Sequence, residues 1–122
     1  MNAWVAPGLI PKDTDLDDVK DLICAKHNIS KEQLVQVTRD RDIVNARKIF
    51  AYAAKKYIKD ISFSKVGKYM GKDHSTMIYY INDINDMISI KDPYFTEKIR
   101  EIEDILDQKR WVNKYYNNLL IN

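Results

Sequence analysis

The sequence predicts an all-α fold. Alternation of apolar and polar residues at period 2, the mark of a half-buried strand, is nearly absent, while apolar residues recur at the 3.6-residue period of a helix. The 122 residues include only three glycines and three prolines, so long helical stretches run uninterrupted, and with 45% apolar residues the chain can build one modest core. Residues 1–14 are the exception: Pro7, Gly8 and Pro11 predict an irregular arm, with Trp4 as its docking residue.

A first helix follows "DTD", with Leu16, Val19, Leu22 and Ile23 on one face and Asp17 and Asp18 in the first turn, where the helix dipole favours them. It ends near His27 and Asn28. Ser30 and Gln33 have capping-box spacing and open a short helix carrying Leu34 and Val37 inward. After the linker "VTRDRD", Asp42 is the expected cap of a longer helix. Its apolar side holds Ile43, Ala46, Ile49, Phe50, Ala53, Ala54 and Tyr57, and its outer side Arg47, Lys48, Lys55 and Lys56. Ser62 caps the next helix, with Phe63, Val66 and Tyr69 inward and Gly67 allowing close approach by a neighbour. Gly71 ends it, and a new helix begins near Lys72 or Asp73, with Met77, Ile78, Ile81, Ile84 and Ile88 as its stripe. Two helices joined by so tight a glycine turn predict a helix-turn-helix. Pro93 opens a further helix with Phe95, Ile99, Ile102 and Leu106 as its stripe, and residues 107–122 form a C-terminal helical extension, aromatic and apolar enough to pack.

The lone cysteine, Cys24, excludes an intramolecular disulfide and a cysteine-based zinc site, and points to a reducing compartment with Cys24 as a small buried residue. No signal peptide or membrane helix is expected, so the location predicted is cytoplasmic. Charge is unevenly spread. Residues 39–72 hold ten basic and three acidic residues, against four and six in residues 1–38 and six and nine in residues 73–122. A block of +7 suits a polyanion, although a charge run is also compatible with a solvated helix face.

The segment "MGKDHSTMIYY" at residues 70–80 holds the densest chemistry. Asp73, His74 and Ser75 have the side chains of a hydrolase triad, but consecutive helical residues project about 100° apart and cannot form its relay. No second His or Cys lies at metal-ligand spacing from His74, so no metal is expected. "GKYMGK" has three residues between its glycines and Asp73 after the lysine, which is not a P-loop, and no nucleotide or other cofactor is expected. What remains is a polar first turn, Lys72 to Thr76, ahead of an apolar body that starts at Met77. A recognition helix is built that way: its first turn meets base edges while its body packs on the domain. In such a turn Asp73 can accept from cytosine N4, His74 can bond a base or touch a thymine methyl, and Ser75 and Thr76 can reach bases or phosphate. Arg39, between Val37–Thr38 and the acidic Asp40, is open on its own to a reading as an ion-pairing loop residue.

Three stretches, "VKDLICAKHNISKEQLVQ", "RDRDIVNARKIFAYAAKKY" and "SFSKVGKYMGKDHSTMIYYINDI", together resemble the C-terminal DNA-binding domain of the bacterial replication initiator DnaA, over roughly residues 16–106. The resemblance implies a tryptophan-repressor-like helical domain that binds a short asymmetric A/T-rich box in double-stranded DNA. It places base readers at Asp73, His74 and Ser75, with Thr76 contacting the backbone beside them, and a minor-groove arginine at Arg39. It places phosphate contacts at Arg47, Lys48, Lys55 and Lys72, and puts Ser64 near bases or backbone. Three positions depart from the usual pattern: Lys72 replaces arginine, Ser75 replaces threonine and Ser64 replaces proline. The initiator's ATPase domain is not in this sequence, so the expected activity is non-enzymatic DNA binding in replication control or transcription regulation, in the nucleoid. The competing expectation is a protein-binding adaptor that keeps the fold, using residues 107–122 for a partner or for self-association.

Overall fold

A computed structural model describes residues 13–121; Trp4 and the arm through Lys12 lie outside the described residues. Six helices occupy them: α1 (Leu16–His27), α2 (Lys31–Val35), α3 (Arg41–Tyr57), α4 (Phe63–Met70), α5 (His74–Ser89) and α6 (Pro93–Ile121). α3 packs against each of the other five and is the axis of the domain.

Local chemistry sets most of the boundaries. Asp15 caps α1 by accepting from the Asp18 N–H at 2.8 Å, and Asp18 returns the bond to the Asp15 N–H at 3.2 Å. Asn28 ends α1 in the left-handed region at φ 54°, which its short polar side chain tolerates, while the Ile29 N–H reaches the Cys24 carbonyl oxygen. Ser30 and Gln33 form the expected capping box on α2, and Leu34 is fully buried. α2 stops at Val35, however, so Val37 lies beyond the helix and is 95% exposed rather than inward. The cap of α3 is Asp40, not Asp42: its Oδ1 accepts from the N–H groups of both Asp42 and Ile43.

All seven apolar residues expected on the inner side of α3 are buried, and so are Ala51 and Arg47. The Phe50 and Tyr69 rings stack at 5.8 Å, tying α3 to α4, and the Tyr69 hydroxyl donates to Asp17 of α1. On α5 the buried set is Met77, Tyr80 and Ile84, with Ile81 and Met87 partly covered; Ile78 and Ile88 sit at the edge, rotated out of the expected stripe. The four core residues expected on α6 are all buried. α6 continues without a break through residue 107. The Tyr57 hydroxyl donates to Asp107 at 2.8 Å, Lys109 pairs with Asp18 at 2.7 Å, and the Arg110 guanidinium lies 4.6 Å over the Tyr57 ring. The start of the C-terminal extension is thus part of the packed body. Among the described residues, no helix is long and apolar enough to cross a membrane.

His27 makes the core pH-sensitive. Its Nδ1 lies 2.9 Å from the Ile23 carbonyl oxygen, which places the proton there, and Nε2 is buried with no hydrogen-bond partner among the described residues. Burial pulls its pKa down, against the raising effect of the Ile23 bond. A folded-state value below the unfolded one, about 6.5, means stability that is complete above that pH and lost as pH falls toward the folded value. Melting temperatures taken between about pH 8 and pH 5 are expected to drop on the acid side, and to drop less in His27→Gln. Parallel curves for the two proteins would remove His27 as the cause.

Candidate nucleic-acid interface

The junction of α4 and α5 is built by two glycines with different tasks. Gly71 terminates α4 at φ 71°, where its N–H reaches the Lys68 carbonyl oxygen and the Lys72 N–H bonds to that of Gly67 at 2.7 Å, a Schellman closure. Gly67 lies under the following turn: a Cβ there would stand 2.6 Å from the Lys72 carbonyl oxygen and 3.0 Å from that of Asp73. α5 therefore starts against the backbone of α4. The body of α5 is anchored by Met77, Tyr80 and Ile84, and the residues ahead of them, Asp73, His74 and Ser75, are exposed.

Asp73 organises that turn. As N-cap of α5 its Oδ1 accepts from the Thr76 N–H at 2.9 Å, the Thr76 hydroxyl at 2.8 Å and the Ser75 hydroxyl at 2.8 Å. These bonds, led by the Thr76 N–H, pull its carboxyl down to about 2, so it is ionised near neutral pH. A carboxylate only accepts, so both hydroxyls spend their single proton on it and turn only lone pairs outward. The Asp73 Oδ2 takes no hydrogen bond from a described residue. Thr76, with its N–H and hydroxyl both committed, has no proton for a phosphate oxygen in this arrangement, contrary to the backbone contact expected of it.

The cations divide into two groups. Arg47 is 2% exposed and not on the outer side of α3 as expected. Its Nε donates to the Leu34 carbonyl oxygen at 2.6 Å, and its terminal nitrogens donate to those of Gln36 and Thr38. A guanidinium so placed cannot reach a phosphate, and the contact expected of Arg47 is corrected. Lys48 pairs with Asp83 of α5 at 2.7 Å, its side chain 15% exposed. Lys55 donates to the Ile61 carbonyl oxygen at 2.7 Å, with its ammonium 4.3 Å over the Phe63 ring, so it holds the α3–α4 loop. By contrast, the side chains of Arg39, Lys68 and Lys72 make no hydrogen bond or ion pair among the described residues. A shallow concavity at the turn is lined by Ser64, Lys68, Gly71, Lys72, Asp73 and His74. It gathers four of the expected residues on one surface. Lys68, which charge alone leaves as a solvated lysine, joins them because α4 brings it to Lys72, one turn of helix and a glycine away. Among the described residues, no group of three His, Cys, Asp or Glu side chains is placed to hold a metal ion.

The family model described as the bacterial DnaA protein helix-turn-helix matches residues 16–84, more than half of the chain. The chain is similar to the chromosomal replication initiator protein DnaA of Bacteroides thetaiotaomicron, 32% identical over 99 residues that cover 80% of this chain and 21% of that protein. It is also similar to that of Bacteroides fragilis, 28% identical over 103 residues, covering 84% and 21%, and to that of Gloeobacter violaceus, 32% over 90 residues, covering 73% and 20%. The chain thus spans about a fifth of the length of these curated relatives. The matched span takes in α1 to α4, the glycine turn and α5 as far as the buried Ile84, and ends before α6. An all-α domain with its helix-turn-helix at α4 and α5, this chain belongs to the bacterial DnaA helix-turn-helix family.

Proposed function

We propose that the chain binds double-stranded DNA at a short, asymmetric, A/T-rich site of the DnaA-box kind, and through that binding controls replication initiation or transcription. The observation that carries this reading is the first turn of α5, whose polar residues are exposed while the helix behind them is locked into the core. In the major groove, His74, Ser75 and the free oxygen of Asp73 face base edges; Arg39 enters the adjacent minor groove; Ser64, Lys68 and Lys72 meet the phosphates. Fluorescence anisotropy against a DnaA-box duplex and a scrambled duplex at physiological salt tests it. Equal affinity for the two rejects sequence-specific binding.

The two kinds of contact have separate signatures. His74→Ala is expected to cost about 1–3 kcal/mol of discrimination between the duplexes while leaving the salt dependence alone. Lys68→Ala and Lys72→Ala weaken both duplexes alike, each lowering the slope of log affinity against log salt by about 0.9. A lysine variant that weakens only the box reassigns that lysine to base reading.

A further inference from the structure

Arg47 is the one charged side chain in the buried core of the described residues, and no role in DNA contact is left to it. The three carbonyls it engages, Leu34, Gln36 and Thr38, alternate along the segment that leaves α2. The Leu34 carbonyl lies in the last turn of α2, where carbonyls lack helical partners, and Gln36 just beyond is extended (φ −65°, ψ 145°); the planar fork of one guanidinium meets these and the Thr38 carbonyl together. The next residue is Arg39, exposed and without a side-chain partner, and after it Asp40 caps α3 while its own N–H donates to the Thr38 hydroxyl at 3.1 Å. The segment is thereby fixed at both ends: by Arg47 on the α2 side and by the cap of α3 on the other.

We propose that Arg47 is a positioning residue for Arg39: it holds the α2–α3 segment rigid against α3, so that Arg39 is presented to DNA in one place without an ordering cost at binding. This deepens the proposed function and rests on it. A long cation on a loose loop would lose backbone and side-chain freedom on entering a groove; here the backbone part of that loss is met during folding.

The test uses the full chain with three variants, Arg39→Ala, Arg47→Lys and the double, on two duplexes that keep the box core but carry either A/T or G/C pairs at the minor-groove end. The natural protein is expected to prefer the A/T end by about tenfold. Arg39→Ala loses that preference. Arg47→Lys keeps the positive charge but cannot span three carbonyls, so it also loses most of the preference, keeps its discrimination at base pairs under α5, and adds nothing to Arg39→Ala in the double variant. Retained preference in Arg47→Lys, or equal loss at both grooves, overturns the proposal. If the lysine variant does not fold, the natural protein still decides by NMR: the Arg47 Nε–H is expected to exchange slowly and to keep its shift on adding DNA. Fast exchange, or a shift on binding that disappears with salt, marks a phosphate contact and overturns it. A natural protein that treats the box and a scrambled duplex alike fails the underlying reading instead.

Discussion

Gly67→Ala is expected to abolish specific DNA binding and lower the melting temperature of a chain that still folds. The added methyl would lie 2.6 Å from the Lys72 carbonyl oxygen, and backbone, unlike the end of a flexible side chain, cannot swing aside. Relief requires α4 and α5 to move apart, at a cost of about 1–3 kcal/mol for an overpacked contact. For a chain of 122 residues, each kcal/mol is worth about 3–5 °C in melting temperature. The same movement strains the 2.7 Å bond from the Lys72 N–H to Gly67 and displaces Lys72, Asp73 and His74 together. Because binding needs those residues in one arrangement, affinity for the box falls further than stability does. Thermal melts and anisotropy on the same preparation check both parts. Unchanged values would mean that α4 and α5 approach less closely than described.

Asp73→Ala is expected to change which bases are preferred, not merely how tightly they are held. In the natural protein the Ser75 and Thr76 hydroxyls are tied to Asp73 as donors, so Asp73, Ser75 and Thr76 present only side-chain acceptors outward. Acceptors suit the amino groups of adenine and cytosine. Removing the carboxylate frees both hydroxyl protons, and Ser75 can then donate to guanine O6 or thymine O4. Selection from a random duplex library should show preference at one or two positions relaxing by about tenfold and shifting toward keto-bearing bases. An unchanged selected site would refute this polarity. The carboxyl, held at about 2 against an unfolded value near 3.9, contributes fully above about pH 4 and is lost as pH falls toward its folded value. The contribution of Asp73 to base preference therefore stays constant across the range in which His27 alters stability.

The features legible in the sequence are those written in local chemistry. The Ser30 and Gln33 box, the Ser62 cap, the Gly71 stop and the Pro93 start all depend on residues within four positions of one another, and each stands where expected. The exposed turn at Asp73 to Ser75 was legible for the same reason, since it is bounded by a glycine and the first core residue, Met77. Arg47 was not. Periodicity assigns a charged residue to the solvent side, but the face of α3 that carries Arg47 is covered by the segment after α2, and the partners of Arg47 are carbonyl oxygens, which every residue has and no sequence pattern marks. The same limit hid the engagement of Lys55 with the Ile61 carbonyl oxygen, while the pairing of Lys48 with Asp83 joins residues 35 positions apart, and the cap of α3 fell at Asp40 where Asp42 was expected. On α5, apolarity alone ranks Ile78 with Ile81 and Tyr79 with Tyr80 as core or near-core residues; the packing against α3 and α4 buries Tyr80 and leaves Ile78 and Tyr79 exposed.

Arg47 and Lys48 are neighbours in α3, and they point to different places: Arg47 to the segment that carries Arg39, Lys48 to Asp83 on the helix that carries His74. One turn of α3 thus works as a ruler between the two elements assigned to the two grooves. A protein with a hinge between such elements would accept sites of variable spacing. If both elements read DNA as proposed, the span between them is set by α3, and inserting a single base pair, about 3.4 Å of rise, between the two halves of the site puts one of them out of register.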